Sequence, residues 1–374
     1  MNIQEAILHL SLIDGVGPGA IKYLLEKSPK DFVLTDLYSL SQFDLKNIFR
    51  LSDNIAKKVF EGLQDTKSLN TELDLIDKHK IGWTTFIDDE YPYLLKNTNL
   101  PPAVITWKGR PLNDLHKKIA IIGSRKATSY SYNIINNLVA SLVENSWSIV
   151  SGGAIGADTM AHQATLNVQG KTIAVLGSGL LKPYPALNKQ LFQDIIESGG
   201  TIISPFPVNF SALPANFPAR NRVISGISKG CIVTQASLKS GTRITALYAL
   251  EQGREVFAVP GPIDDELSFG CNKLIQEGAK LITSAQDILQ EFGEEYLNNE
   301  IASESFVNET NISIFEKIPE TIEEKIVWIC RTPSSVDDLT DKIGIGTQEL
   351  QYKLFDLQLD GKIKQNFVGL WERI

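Results

Sequence analysis

The stretch "IAIIGSRKATSYSYN", residues Ile119–Asn133, decides the fold. Four apolar residues run into a single glycine, and Ser124, Arg125 and Lys126 follow. A helical pattern then opens near Ser129. Ile134, Leu138 and Leu142 recur at i, i+4 and i+8, with Ile135, Val139 and Val143 beside them. That spacing gives one buried helix face. A short apolar run turning into such a helix is one βα unit of a sheet buried on both faces. A dinucleotide site would place G-x-G-x-x-G at this corner. Here there is one glycine and two cations. A helix N-terminus already presents unpaired N–H groups and partial positive charge. Arg125 and Lys126 add to that field, and Gly123 is expected to leave room for an approaching anion.

The same rhythm extends on both sides. Candidate strands are Thr84–Ile87, Val104–Trp107, Ile119–Ile122, Ser148–Val150, Ile173–Leu176, Thr201–Ile203, Cys231–Thr234 and Glu255–Val259, with helices between them. The βαβ alternation predicts a doubly wound parallel sheet over residues 81–290. Ligands of such sheets lie beyond the carboxyl ends of the strands.

Other corners on that rim carry similar chemistry. "IVSGGAIGADTMAH" (149–162) places Gly152, Gly153 and Gly156 before a helix that Asp158 is placed to cap. Asp158 and His162 stand at i, i+4, but two ligands make a poor metal site, and no metal is expected. "VTQASLKSGTRITA" (233–246) sets Ser240, Gly241 and Thr242 before another helix, with Lys239 and Arg243 flanking. Such a corner offers amides and hydroxyls to a phosphate. "YPALNKQ" contributes Asn188 and Lys189, and "FPARNRVISGIS" contributes Arg220, Asn221 and Arg222. Tyr184 and Phe217 are candidate stacking rings. The chain has no G-x-x-x-x-G-K-[ST], and its four histidines are scattered. A basic, hydroxyl-lined rim without nucleophile, base or metal reads as a binding site rather than a catalytic one.

Charge supports this reading. Residues 117–250 hold twelve Lys or Arg against four acids, a net of +8, within a chain of −8, so the remainder carries −16. A basic middle in an acidic protein is the footprint of an anionic ligand. The alternative is that acidic ends merely skew the total.

Residues 1–80 read as a small helical domain. "LIDGVGPGAIKYLLEK" spaces Gly15, Gly17 and Gly19 as in a helix-hairpin-helix, whose loop amides can hold a phosphate. Ten cations against twelve acids over these residues favour packing over DNA contact. Residues 291–318 form an acid-rich linker. Residues 319–374 follow the helix, helix, helix, hairpin order of a winged helix, with a capping pattern at Ser335 and Asp338 and a hairpin around Gly369. Over residues 345–374 four cations meet four acids, so a protein-contact or packing role is expected rather than duplex binding. No apolar run approaches the ~20 residues of a membrane span. The three cysteines are widely spaced. With no export signal at the N-terminus, a cytoplasmic protein without disulfides is expected.

Taken together, "AIIGSRKATSYS", "SGGAIGADTMAHQATL", "FPARNRVISGIS", "SGTRITALYALEQGREVFAVPG" and "GCNKLIQEGA" resemble the DNA-processing protein A family, also called Smf. The resemblance covers nearly the whole chain. It implies an extended Rossmann domain that binds and protects single-stranded DNA and hands it to a RecA-type recombinase in natural transformation. It also implies a homodimer, no cofactor and no catalytic activity. Gly123, Ser124 and Arg125 match the family's G-S-R, whose arginine contacts phosphate. Lys126 extends that corner. Lys189, Arg220, Asn221 and Arg222 match its basic loops, and Ser240, Gly241 and Thr242 match its S-G-[ST]. Ile155 stands where the family often has arginine, and Arg243 stands where it is usually apolar. The rival reading is a nucleotide phosphoribohydrolase of the lysine-decarboxylase-like family. That family needs a P-G-G-x-G-T loop, and "LKSGTRI" lacks the P-G-G.

Overall fold

The computed structural model describes residues 1–115, 117–293, 321–330, 334, 336–365 and 371–373. Most of the expected linker, Ser335 of the capping pattern and Gly369 of the expected hairpin lie outside the described residues. The chain divides into two compact units, Met1–Leu297 and Asn298–Ile374.

The first unit opens with helices α1 (Ile3–Leu12), α2 (Pro18–Glu26), α3 (Gln42–Phe49), α4 (Asp53–Gln64) and α5 (Thr66–Lys78). Strands β1 (Gly82–Thr85) and β2 (Val104–Gly109) flank the short helix α6 (Tyr93–Lys96). The alternating region follows as β3 (Lys117–Ile122), α7 (Ser129–Glu144), β4 (Trp147–Ser151), α8 (Ala157–Asn167), β5 (Thr172–Val175), α9 (Lys189–Glu197) and β6 (Thr201–Ser204). It continues with α10 (Asn216–Gly226), β7 (Gly230–Val233), α11 (Gly241–Glu251), β8 (Glu255–Ala258), α12 (Phe269–Gln276), β9 (Lys280–Leu281) and α13 (Ala285–Glu291).

The sheet order is β1-β2-β6-β5-β4-β3-β7-β8-β9. Strands β3 to β9 run parallel, while β1 and β2 join antiparallel at one edge. Each of the eight candidate strands is present within a residue or two. The antiparallel edge departs from the expected all-parallel sheet, because an apolar run announces a strand but not its direction. The winding reverses at β3, whose neighbours are β4 and β7. A crevice opens at such a switch point.

The pleat of β3 explains the two-sided core. Ile119 and Ile121 join one buried cluster with Ile135, Val139 and Leu142 of α7 and Ala157 and Ala161 of α8. Ala120 and Ile122 join another with Val223 and Ile224 of α10 and Ala246 and Ala249 of α11. Period-two alternation divides one apolar run between two faces. Each fully buried Ile or Leu stabilises the fold by roughly 1.5–3 kcal/mol relative to exposure. The N-terminal helices share a third cluster with Val104, Ala174 and Ile202 of the sheet.

The second unit contains α14 (Ile322–Ile329), α15 (Val336–Ile343) and α16 (Thr347–Leu359). Strands β10 (Ile363–Gln365) and β11 (Trp371–Arg373) pair antiparallel. Ile326, Leu339, Leu350, Leu354 and Ile363 are buried together. The side chain of Asp338 lies outside the described residues.

Candidate nucleic-acid interface

The loops after β3 and β7 meet at the switch point and enclose a cleft of about 610 Å³. Of the sequence-expected residues, Gly123, Ser124, Arg125, Lys126, Arg220, Asn221, Ser240, Gly241 and Thr242 line it. Lys189, Arg222 and Arg243 do not.

Hydrogen bonds lock the two corners together. The Thr242 hydroxyl donates to the Gly123 carbonyl at 3.0 Å. Ser240 caps α11, accepting from the Thr242 N–H at 3.1 Å. Gln235, which sequence reasoning passed over, accepts from the backbone N–H and hydroxyl of Thr128 at 2.9 and 3.2 Å. Its Oε1 therefore serves the start of α7, where Thr128 makes no side-chain cap of its own. Only its place just after β7 in "VTQAS" hinted at this. The N–H groups of Gly123, Ser124, Arg125 and Gly241 donate to no described residue, so a ligand can take them. Consecutive free amides of this kind make an anion concavity.

Gly123 also has a packing role that its place in the sequence did not show. A Cβ at this position would lie 2.6 Å from the Ala157 Cβ and 2.6 Å from the Thr234 hydroxyl. The glycine lets α8 and β7 approach the corner. The glycines of the second loop act similarly: a Cβ at Gly152 would strike the Arg220 guanidinium, and one at Gly156 the Ser124 carbonyl.

The two arginines of the cleft differ in kind. Arg125 is exposed and lies over the Phe217 ring, 5.6 Å from its centroid. Arg220 lies over the same ring at 5.7 Å, yet it is only 5% exposed. Its Nη1 donates to the carbonyls of Gly152 and, at 2.8 Å, Val175. Its Nε donates to Asn221 Oδ1 at 3.0 Å. Tyr184, about half exposed, has its ring centroid 6.0 Å from that of Phe217.

Beneath Arg220, Asp158 accepts from the N–H groups of Gly152 and Ala154 at 3.1 and 3.3 Å. It braces the glycine loop, whereas the cap of α8 is Gly156 with no side-chain bond. Burial raises the Asp158 carboxyl above its ordinary value, against the opposing pull of Arg220 and the loop amides. His162 is buried with Nδ1 at 2.7 Å from the Thr172 hydroxyl. Burial, with Arg220 nearby, lowers its pKa to about 3. Among the described residues no cluster of His, Cys, Asp and Glu suits a metal ion.

Arg243 and Arg222, among the remaining expected residues, are engaged elsewhere. Arg243 pairs with Glu277 at 3.2 Å and donates to the Leu238 carbonyl at 3.1 Å. Arg222 lies over Tyr248 at 5.0 Å and lines a separate cavity. Lys189 is exposed at the start of α9. Beside it, Asn188 donates to the Gly153 carbonyl and the Thr159 hydroxyl at 2.9 and 2.8 Å, tying this loop to the glycine loop. Ile155 is about half exposed next to Arg125 and Tyr184. No described helix is long and apolar enough to cross a membrane.

Known proteins match this arrangement. The model of the family described as DNA recombination-mediator protein A matches residues 82–293. The DNA processing protein DprA of Streptococcus pneumoniae is 46% identical over 210 residues, covering 56% of this chain and 73% of that one. Protein Smf of Escherichia coli is 37% identical over 281 residues, covering 74% and 73%. The X-ray structure of the S. pneumoniae protein superposes with a TM-score of 0.66 at 36% identity, covering 78% of this chain and 99% of that one. A structure of DNA processing protein A from Helicobacter pylori, described for its single-stranded DNA binding mode, matches with a TM-score of 0.52 at 31% identity, covering 57% and 97%. The chain therefore belongs to the DNA recombination-mediator protein A family.

Proposed function

We propose that the cleft holds single-stranded DNA and that the protein acts as a mediator, protecting the strand and loading a RecA-type recombinase in transformation or homologous recombination. The observation that carries this reading is the exposed Arg125 guanidinium over Phe217, beside free corner amides. A phosphate would sit on Arg125 and the amides of Ser124 and Gly241. A base would stack on Tyr184 or Phe217, worth ~1–3 kcal/mol per base. Arg220 holds the glycine loop in shape and adds field from below. Lys126 and Lys189 would extend the charged track.

The described cleft carboxylates, Asp158 and Glu266, do not form a nucleophile–base pair with a neighbour, and the phosphoribohydrolase loop is missing. We therefore assign binding and no catalytic step. α11 exposes Ile244, Leu247 and Leu250 at i, i+3 and i+6, an apolar stripe suited to a second copy of the chain. We read residues 319–374 as a winged helix serving protein contact, and residues 1–80 and 81–290 as helical and Rossmann-like domains. The setting is cytoplasmic, without cofactor or metal.

The test is a comparison of single- and double-stranded oligonucleotides by fluorescence anisotropy across salt. Preference for single strands is expected, with log K falling by ~0.7 per phosphate neutralised. Equal affinity for duplex and single strand would sink the reading.

A further inference from the structure

A second cavity, of about 730 Å³, lies between the N-terminal helices and the sheet edge. Its size falls within the range of roughly 300–1,000 Å³ typical of small-molecule sites. Leu8, Ile21, Leu95 and Val104 make its walls apolar. Phe206 and Phe210 add rings inclined by only 15° to each other, with centroids 6.1 Å apart.

Ser11, Asp14, Thr106 and Asn216 also line the cavity, and two further kinds of polar group bear on a ligand. Glu72 is 6% exposed and accepts from the Val208 N–H at 2.7 Å. Its other carboxylate oxygen makes no hydrogen bond to a described residue and is not sealed from solvent, so a ligand in the cavity can reach it. Burial raises the Glu72 pKa, the signature of a carboxyl held in an apolar wall. The second kind is anion-seeking. Arg222 rests over Tyr248, and its guanidinium donates no hydrogen bond to a described residue. Gly17 is the N-cap of the nine-residue α2 and has no side chain to cap it. The N–H groups of Gly17 and Gly19 have no acceptor among the described residues.

We propose that this cavity is a second nucleotide site, with one base between the apolar walls donating an N–H to Glu72 and its phosphate met by Arg222 and the amides of α2. The occupant is either a free mononucleotide or one nucleotide of a DNA strand. The site is distinct from the cleft, and occupancy by a free nucleotide does not depend on the cleft holding DNA. The two share a wall. α10 lends Phe217, Arg220 and Asn221 to the cleft, and Asn216, Ala219 and Arg222 to the cavity. A ligand in the cavity would bear on the helix that shapes the cleft.

The full-length protein is titrated calorimetrically with dAMP, dCMP, dGMP and dTMP, with nucleosides and inorganic phosphate as separate arms. Saturable binding of a nucleotide is expected for a free occupant. Glu72→Gln, which keeps an acceptor for the Val208 N–H, and the cavity-filling Ala219→Trp should each weaken it by about tenfold or more, roughly 1.4 kcal/mol. Arg125→Ala should leave it unchanged, which separates failure here from failure of the cleft reading. If the occupant belongs to a strand, an oligonucleotide carrying 5-iodouracil should crosslink to Phe206 or Phe210, and Ala219→Trp should abolish the crosslink. The proposal is overturned if no nucleotide saturates and no crosslink forms. It is equally overturned if binding survives both cavity variants, or if Arg125→Ala removes it.

Discussion

Arg125 lies over Phe217, its guanidinium carbon 5.6 Å from the ring centroid, and Phe217 in turn covers the buried Arg220. The exposed cation is thus held in place by a ring rather than by an acid, so its charge remains available to a ligand. A cation–π contact at an exposed site is worth about 0.5–1 kcal/mol.

Arg125→Ala should weaken single-stranded DNA binding by roughly 1.5–3 kcal/mol, the worth of a charge-assisted hydrogen bond. It should also flatten the salt dependence by ~0.7 in the log–log slope. Anisotropy across a salt series measures both. Unchanged affinity and slope would remove Arg125 from the interface.

Arg220→Met should act on stability before binding. It strands the buried Gly152 and Val175 carbonyls and removes the positive charge that opposes the burial-driven rise of the Asp158 pKa. Each stranded buried acceptor costs about 1–3 kcal/mol. A fall in Tm on the order of 10 °C is expected. A variant with wild-type Tm but lost DNA binding would instead make Arg220 a direct contact.

Two glycines of the cleft should respond in opposite ways. Gly123→Ala forces its Cβ to 2.6 Å from Ala157 and Thr234, and both are held in the packed core. Overpacking of this kind costs about 1–3 kcal/mol. An added Cβ at Gly241 meets nothing within 4 Å. Gly241→Ala should therefore leave chemical denaturation within about 0.5 kcal/mol of wild type. Equal effects would show that the corner tolerates a side chain.

His162 should make the fold acid-sensitive. Its pKa is about 3 when folded, against 6.5 ordinarily, so below pH 6.5 the unfolded chain binds the extra proton. Stability due to this group is complete above pH 6.5 and is lost as pH falls towards 3, at up to about 1.4 kcal/mol per pH unit. Asp158, with a raised pKa, works in the opposite sense by taking up a proton in the folded state. His162→Asn retains a donor for Thr172 and should flatten the acid limb by one proton relative to wild type. Parallel limbs for the two proteins would refute this.

Much of the architecture was legible because it rests on local patterns. Apolar runs marked eight strands, and the spacing of Ile134, Leu138 and Leu142 marked the inward face of α7, where Leu138 and Leu142 are buried with Ile135 and Val139 and Ile134 only partly so. The two-residue β9 was missed, since Lys280 and Leu281 are too few to show a period. The corners at Gly123 and Ser240 were legible as strand-to-helix turns because strand, turn and helix start follow one another in sequence.

The sequence alone determined that a doubly wound sheet carries a basic rim, because burial periodicity and local charge are properties of neighbouring residues. Only the tertiary structure decided where each rim charge lies and what it contacts. Arg125, Arg220, Arg222 and Arg243 look alike as letters. One is exposed on a ring, one is buried under it, one faces a different cavity and one is paired with Glu277. The same holds for Gly123, whose missing side chain also makes room for Ala157, a neighbour distant in the chain. The partners in each case are distant in the chain, brought close by sheet order, and no local pattern encodes that proximity.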